Sequence, residues 1–268
     1  MFLSSLVGRR VTSTSLTVCA PQRRRSPSSK RSEENGRPKR LSRRCDLQTS
    51  RASSHGECAT RKRDRRDKET KFFFGSNKPA LTRPELIVEV SYINHPKVVV
   101  LANRLKPDLI AVFGTGLIRG PLLAMGQLGI INLHGGLAPR YRGSDCTFWA
   151  MYNGELDQIG CTLHFINAGI DTGVLIAHIC PEVTEDDDES TLFWRGVRDS
   201  ADIYANCLER LERGEAIGQE QKEKGRLYLF KHRTRRHERE LKAKLRNGLL
   251  KGVHLPARVH WFYGAAHE

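Results

Sequence analysis

The sequence has no apolar run long enough to cross a bilayer, which excludes a helical membrane protein. It has no Walker-type loop and no Cys/His cluster with zinc spacing, so a P-loop nucleotide site and a structural zinc are excluded too. Its seven cysteines, Cys19, Cys45, Cys58, Cys146, Cys161, Cys180 and Cys207, are odd in number and form no Cys-x-x-Cys. Four of them sit in apolar surroundings, so buried, inert thiols in a reduced compartment are expected, not a disulfide scaffold. The first thirty residues lack any acid, are rich in Arg and Ser, and have an apolar start only seven residues long. That start is too short for a secretory signal, although the composition is that of an organellar transit peptide. A cytoplasmic protein is expected, with an organellar address as the alternative.

What is present is charge, unevenly spread over 268 residues with a net +15. Residues 1–71 hold 20 Lys+Arg and 7 Asp+Glu, residues 72–221 hold 12 and 19, and residues 222–258 hold 13 and 3. A basic protein invites a nucleic-acid reading, but here the middle of the chain is acidic, so that reading could apply only to the ends. Residues 1–71 are Arg/Ser-rich without a period of two or 3.6. Such a segment cannot bury enough apolar surface to offset about 1–2 kcal/mol per residue of backbone entropy, and is expected to be disordered.

From residue 72 the pattern changes. Short β-rich runs alternate with helical stretches, the signature of an α/β fold with an open, Rossmann-like parallel sheet. Residues 108–113 form an apolar run closed by Gly114-Thr115-Gly116, and read as a parallel strand buried on both faces. Residues 130–134, 159–166 and 174–180 read as three further strands. Ser144 is the expected N-cap of a helix stopped by Gly154, and Ser190 or Thr191 that of a long helix running to Arg213. A short strand at 226–230 and a basic helix around 235–247 follow. The expected domains are a disordered 1–71, a catalytic 72–218 and an extension over 219–268.

Asn132 and His134 stand two apart near the carboxyl end of a strand, so both side chains leave one face. Asp171 lies in the glycine-flanked turn Gly169-Ile170-Asp171-Thr172-Gly173, from which its carboxylate could reach His134. An amide donor for an oxyanion, an imidazole that moves protons near neutrality and a carboxylate that orients it suit acyl transfer. No serine or cysteine nucleophile belongs to the set, so attack by a substrate amine or by water is implied. The same residues also fit plain roles: a strand end, a surface histidine and a turn former. His164 and His178, on alternating strand positions, read as structural.

Residues 107–181 resemble the folate-dependent formyltransferase family. The resemblance rests on Pro107-Asp108 and the run into Gly114-Thr115-Gly116, on Asn132-Leu133-His134 followed by Leu137-Ala138-Pro139-Arg140-Tyr141-Arg142-Gly143, and on Gly169-Ile170-Asp171-Thr172-Gly173. It implies 10-formyltetrahydrofolate as co-substrate, no metal, and a small amine as acceptor, either phosphoribosylglycinamide or a nucleotide-linked amino sugar. Carried over, Asn132 would polarise the formyl oxygen, His134 would act as acid–base or as a positive charge, and Asp171 would hold His134 and help relay the proton. Folate would lie between Gly114, Thr115, Gly116, Leu117, Ile118, Arg119 and the loop Asn167, Ala168, Gly169, Ile170. The acceptor would meet Gly135, Gly136, Pro139, Arg140, Tyr141 and Arg142, whose two guanidiniums would suit a phosphate.

Two departures stand out. Many family members have Ser-Leu-Leu-Pro where this chain has Gly135-Gly136-Leu137-Ala138-Pro139, which bears on the acceptor. The family's opening β-α-β unit has no recognisable counterpart in residues 1–71, which are expected to be a replaced or wrongly framed version of it. Gly75-Ser76-Asn77 is similar to a Gly-Ser-Asn of the glycinamide ribonucleotide enzymes but reads as a plain loop. The competing expectations are a formyltetrahydrofolate hydrolase and a non-catalytic family member that binds nucleic acid through its basic arm. Membrane contact is not expected, and the oligomeric state is open.

Overall fold

The computed structural model describes residues 15–18, 68–77, 84–215 and 217–263. The chain divides into two compact units, one of Met1–Gln22 with Pro79–Glu268 and one of Arg23–Lys78. In the smaller unit residues 68–74 are helical (α1), and Gly75, at φ 57°, starts the turn that ends it. Gly75-Ser76-Asn77 is therefore the end of a helix.

The larger unit runs, in chain order, β1 (Ser15–Val18), α2 (Pro96–Leu105), β2 (Leu109–Phe113), β3 (Ile130–His134), β4 (Tyr141–Gly143) and α3 (Cys146–Asn153). It continues with β5 (Cys161–Phe165), β6 (Leu175–Cys180), β7 (Val183–Thr184), α4 (Glu189–Glu212), β8 (Arg226–Tyr228), α5 (Arg235–Arg246), β9 (His254–Leu255) and β10 (Arg258–Trp261). Six strands form one open sheet in the order β1-β2-β3-β5-β6-β10.

The apolar run of β2 is buried between neighbours that both run parallel to it, as its composition requires. The other half of the sheet is antiparallel: β5 runs against β3, β6 against β5 and β10 against β6. The reason is the path between β3 and β5. Thr162 pairs with His134, so the chain re-enters the sheet at the end it left, where a parallel crossover would have carried it back to the other end. Fully buried Ile131, Leu163 and Ile176 fill the centre of the sheet, each adding about 1.5–3 kcal/mol. One core cluster holds Val98 and Ala102 of α2 with Ile110, Val112 and Ile130; another holds Phe148, Trp149, Leu192 and Leu241 from α3, α4 and α5.

Several local expectations change. Within the segment expected to be disordered, Ser15–Val18 is a strand paired in register with Leu109–Val112. Residues 68–71 are helical, and the rest of 1–71 lies outside the described residues. The boundary expected after residue 218 separates nothing, because β8 pairs with β4 and β10 with β6. Asp145, left-handed at φ 57°, takes the cap position of α3 in place of Ser144, whose N–H goes to the Tyr228 carbonyl. Asp188 caps α4, with Thr191 completing a reciprocal capping box. No helix among the described residues is long and apolar enough to cross a membrane.

Candidate active site

β3 delivers Asn132 and His134 to one face, and the antiparallel register sets His164 of β5 opposite Asn132. The β5–β6 connection then folds back so that Asp171 stands between the two histidines. Its Oδ2 is 3.4 Å from His134 Nδ1 and its Oδ1 is 3.5 Å from His164 Nε2. Asn132 Nδ2 lies 3.2 Å from His164 Nε2. The structure thus brings Asn132, His134 and Asp171 together. It adds His164, whose position on a regularly alternating polar face made it look structural; only the register across strands reveals it.

Hydrogen bonding fixes what each ring can do. His164 Nδ1 is 2.7 Å from the Phe165 carbonyl and donates to it, which in the neutral ring leaves Nε2 to accept one Asn132 N–H. The second Asn132 N–H is left for an oxyanion. His134 Nε2 is 3.0 Å from the Tyr141 carbonyl and donates to it, which leaves Nδ1, facing Asp171, as the nitrogen that exchanges protons. Cys146 Sγ rests 3.6 Å from the same Nε2, and burial pushes that thiol well above its ordinary range.

Burial also lowers the His134 pKa, against the pull of Asp171, so the ring favours its neutral form. Burial works to raise the Asp171 carboxyl, but His134, His164 and the Gly143 N–H outweigh it and hold it at about 2. Asp171 Oδ2 accepts that N–H at 2.8 Å. The result is an ionised carboxylate beside a neutral imidazole, with an amide donor pinned next to them.

The loop after β3 is built as packing. A Cβ on Gly136 would stand 2.5 Å from Cys146 Cβ and 2.8 Å from His134 Nε2, and one on Gly135 would stand 2.7 Å from the Phe193 ring. Thr162 donates to the Gly136 carbonyl at 2.6 Å, and the Ala138 N–H donates to Thr162 Oγ1 at 2.9 Å. The Ala138–Pro139 peptide is cis.

Arg140, Tyr141 and Arg142, expected to meet the acceptor, each have partners within the protein. Arg140 pairs with Glu155 at 2.9 Å. Tyr141 is fully buried, stacked on Tyr228, with its hydroxyl donating to Glu155. Arg142 is buried and donates to the carbonyls of Ile170 at 3.3 Å and Gly225 at 3.0 Å. Both guanidiniums thus have partners within the protein, Arg142 buried and Arg140 57% exposed to solvent.

The two stretches expected to hold folate are anchored differently. Gly114, Gly116, Leu117 and Arg119 are exposed, whereas the Ile118 side chain is buried in the α2 cluster. Asn94 braces this stretch, donating to the Leu117 carbonyl and accepting from the Arg119 N–H, both at 2.7 Å. Asn167, Ala168 and Gly169 are exposed and Ile170 is half-buried. Asn167 Oδ1 accepts from the Gly169 N–H at 2.9 Å and the Thr172 hydroxyl at 2.7 Å.

An open α/β sheet thus gathers an amide donor, two imidazoles and a carboxylate, the groups that acyl transfer without a protein nucleophile would use. The chain belongs to the formyl transferase family, whose model matches residues 49–208. It is 31% identical over 136 residues to a methionyl-tRNA formyltransferase from Caldanaerobacter subterraneus subsp. tengcongensis, covering 50% of this chain and 44% of that one. To its counterpart from Citrifermentans bemidjiense it is 36% identical over 118 residues, covering 44% and 37%. The chain therefore spans less than half the length of these relatives. Among solved structures, the formyltransferase PseJ from Anoxybacillus kamchatkensis, in complex with UDP-4,6-dideoxy-4-formamido-L-AltNAc and tetrahydrofolate, is 26% identical with a TM-score of 0.45. That match covers 54% of this chain and 75% of that one.

Proposed function

We propose that the protein transfers a formyl group from 10-formyltetrahydrofolate to an amine, through Asn132, His134 and Asp171. The observation that carries this reading is the Asp171 carboxylate between two imidazoles, beside an Asn132 amide with one N–H still to give. The amine nitrogen attacks the formyl carbon, and the carbonyl electrons move onto oxygen, where the free Asn132 N–H receives them. Removing one such donor typically costs about 100- to 1000-fold in rate. The attacking nitrogen gives up a proton to the His134–Asp171 pair, folate N10 takes a proton, and the C–N10 bond breaks as the oxyanion collapses. Tetrahydrofolate and the formamide leave.

The acceptor we favour is a small amine, phosphoribosylglycinamide or a nucleotide-linked amino sugar. Membership of a family that includes methionyl-tRNA formyltransferases makes methionyl-tRNA the acceptor to set against it. The test incubates the full chain with 10-formyltetrahydrofolate and each of these amines, following release of tetrahydrofolate. Turnover with one of them is expected. Turnover with water alone would make the protein a hydrolase, and none at all from folded protein would overturn the enzyme reading.

A further inference from the structure

The turn that presents Asp171 is not self-supporting. Asp171 has φ 50°, in the left-handed region that an aspartate occupies at a cost unless its surroundings hold it. Gly173 is pressed so closely on the Phe165 carbonyl that no side chain could stand there. What secures the outer side of this turn comes from the far end of the chain, beyond residues 49–208 that match the family. Gln221 Nε2 donates to the Asp171 carbonyl at 3.0 Å and to the Gly173 carbonyl at 2.7 Å. Both hydrogens of one amide nitrogen thus grip the carbonyls on either side of Thr172. The Gln221 Oε1 is buried with no hydrogen-bond partner among the described residues, so within them the side chain serves this grip alone. The amide cannot turn over, because Oε1 would then face two carbonyl oxygens.

The same segment reaches the other loop of the site. Gly225 lies against the Pro139 carbonyl too closely for any side chain, and its own carbonyl accepts from Arg142, which also holds the Ile170 carbonyl. The Arg226 N–H donates to the Arg140 carbonyl at 3.1 Å. Residues 221–226 therefore touch both the loop that follows His134 and the turn that carries Asp171.

We infer that Gln221 is a positioning residue for the transfer reaction: its carboxamide holds the turn so that the Asp171 carboxylate stands between His134 and His164. This rests on the formyl-transfer reading above and extends it to a residue outside the family match. Misplacing a reacting group by about 1 Å costs on the order of 100-fold in rate.

The experiment compares the wild-type full chain with Gln221→Leu and Gln221→Glu, by steady-state kinetics across pH and by NMR titration of the His134 ring. Gln221→Leu is expected to lower kcat by about 10- to 100-fold while acceptor KM changes by less than about threefold. Gln221→Glu sets a carboxylate against two carbonyls, and regains one donor only when protonated. Its kcat relative to Gln221→Leu is therefore expected to rise as pH falls, which a packing defect alone would not produce. In both variants the His134 titration should move to lower pH as Asp171, whose charge raises it, moves away. A kcat within about threefold of wild type together with an unchanged His134 titration would overturn the inference. If the wild type turns over no amine and no water, the formyl-transfer reading fails, and the His134 titration alone still decides whether Gln221 places Asp171.

Discussion

The loop after β3 and the turn after β5 both serve the same few atoms, and they are held by opposite means. In the first, Gly136, Leu137, Ala138, Tyr141 and Arg142 are buried, and Thr162 accepts one backbone N–H and donates to one carbonyl. In the second, Asn167, Ala168 and Gly169 are exposed, and order comes from the Asn167–Thr172 bond within and from Gln221 and Arg142 outside. The imidazole of His134 is thus fixed by packing, the Asp171 carboxylate by hydrogen bonds to the turn that carries it. Packing resists change by volume, whereas a hydrogen-bonded turn resists it through the identity of a few donors.

The contrast can be broken at its strongest point first. Asp171→Asn removes the charge that faces His134 Nδ1 and His164 Nε2 with little change of shape. It is expected to lower kcat of formyl transfer by about 100- to 10,000-fold, read as tetrahydrofolate release at saturating substrate. Next come the glycines. Gly136→Ala forces a methyl against Cys146 and His134 and should cost about 1–3 kcal/mol in urea unfolding. Gly169→Ala sets its methyl against the Thr172 hydroxyl, which must give up its bond to Asn167 to make room, and should cost about 1–2 kcal/mol.

A gentler probe is acid. The Asp171 carboxyl is held at about 2 in the folded chain against 3.8 ordinarily, so its contribution to stability is complete above about pH 4 and is lost as pH falls toward 2. The stability gap between wild type and Asp171→Asn should therefore close over that interval in urea titrations. Burial of neutral His134 adds a separate acid sensitivity that begins near 6.5, where the unfolded ring takes up a proton that the folded one resists. The smallest effect is expected at Asn167→Ala. It removes two solvent-exposed bonds and should cost about 0.5–1.5 kcal/mol, measured the same way.

The parts legible in the sequence are those set by neighbours along the chain. The apolar run of β2, the same-face pair Asn132 and His134, and the glycine-flanked turn with Asp171 all depend on periods of two or on local backbone chemistry. What stayed hidden is set across strands. β10 offers Arg258, Val259 and His260 exposed and alternates nothing, so only its pairing with β6 makes it a strand. The direction of β5 depends on where the intervening chain returns, which no run of residues encodes. Arg140 and Arg142 read as anion ligands because their partners, Glu155 and the carbonyls of Ile170 and Gly225, lie between 15 and 83 positions away.

Gly143 joins the two loops through one proton. It has φ 94°, has no room for a side chain beneath the Tyr228 carbonyl, and gives its N–H to Asp171 Oδ2. That amide proton exchanges with solvent only when the carboxylate swings away. Deuterium uptake at this single amide is therefore a built-in clock for the opening of the Asp171 turn. It runs without substrate, and it compares the turn's lifetime in any variant with that of the packed loop beside it.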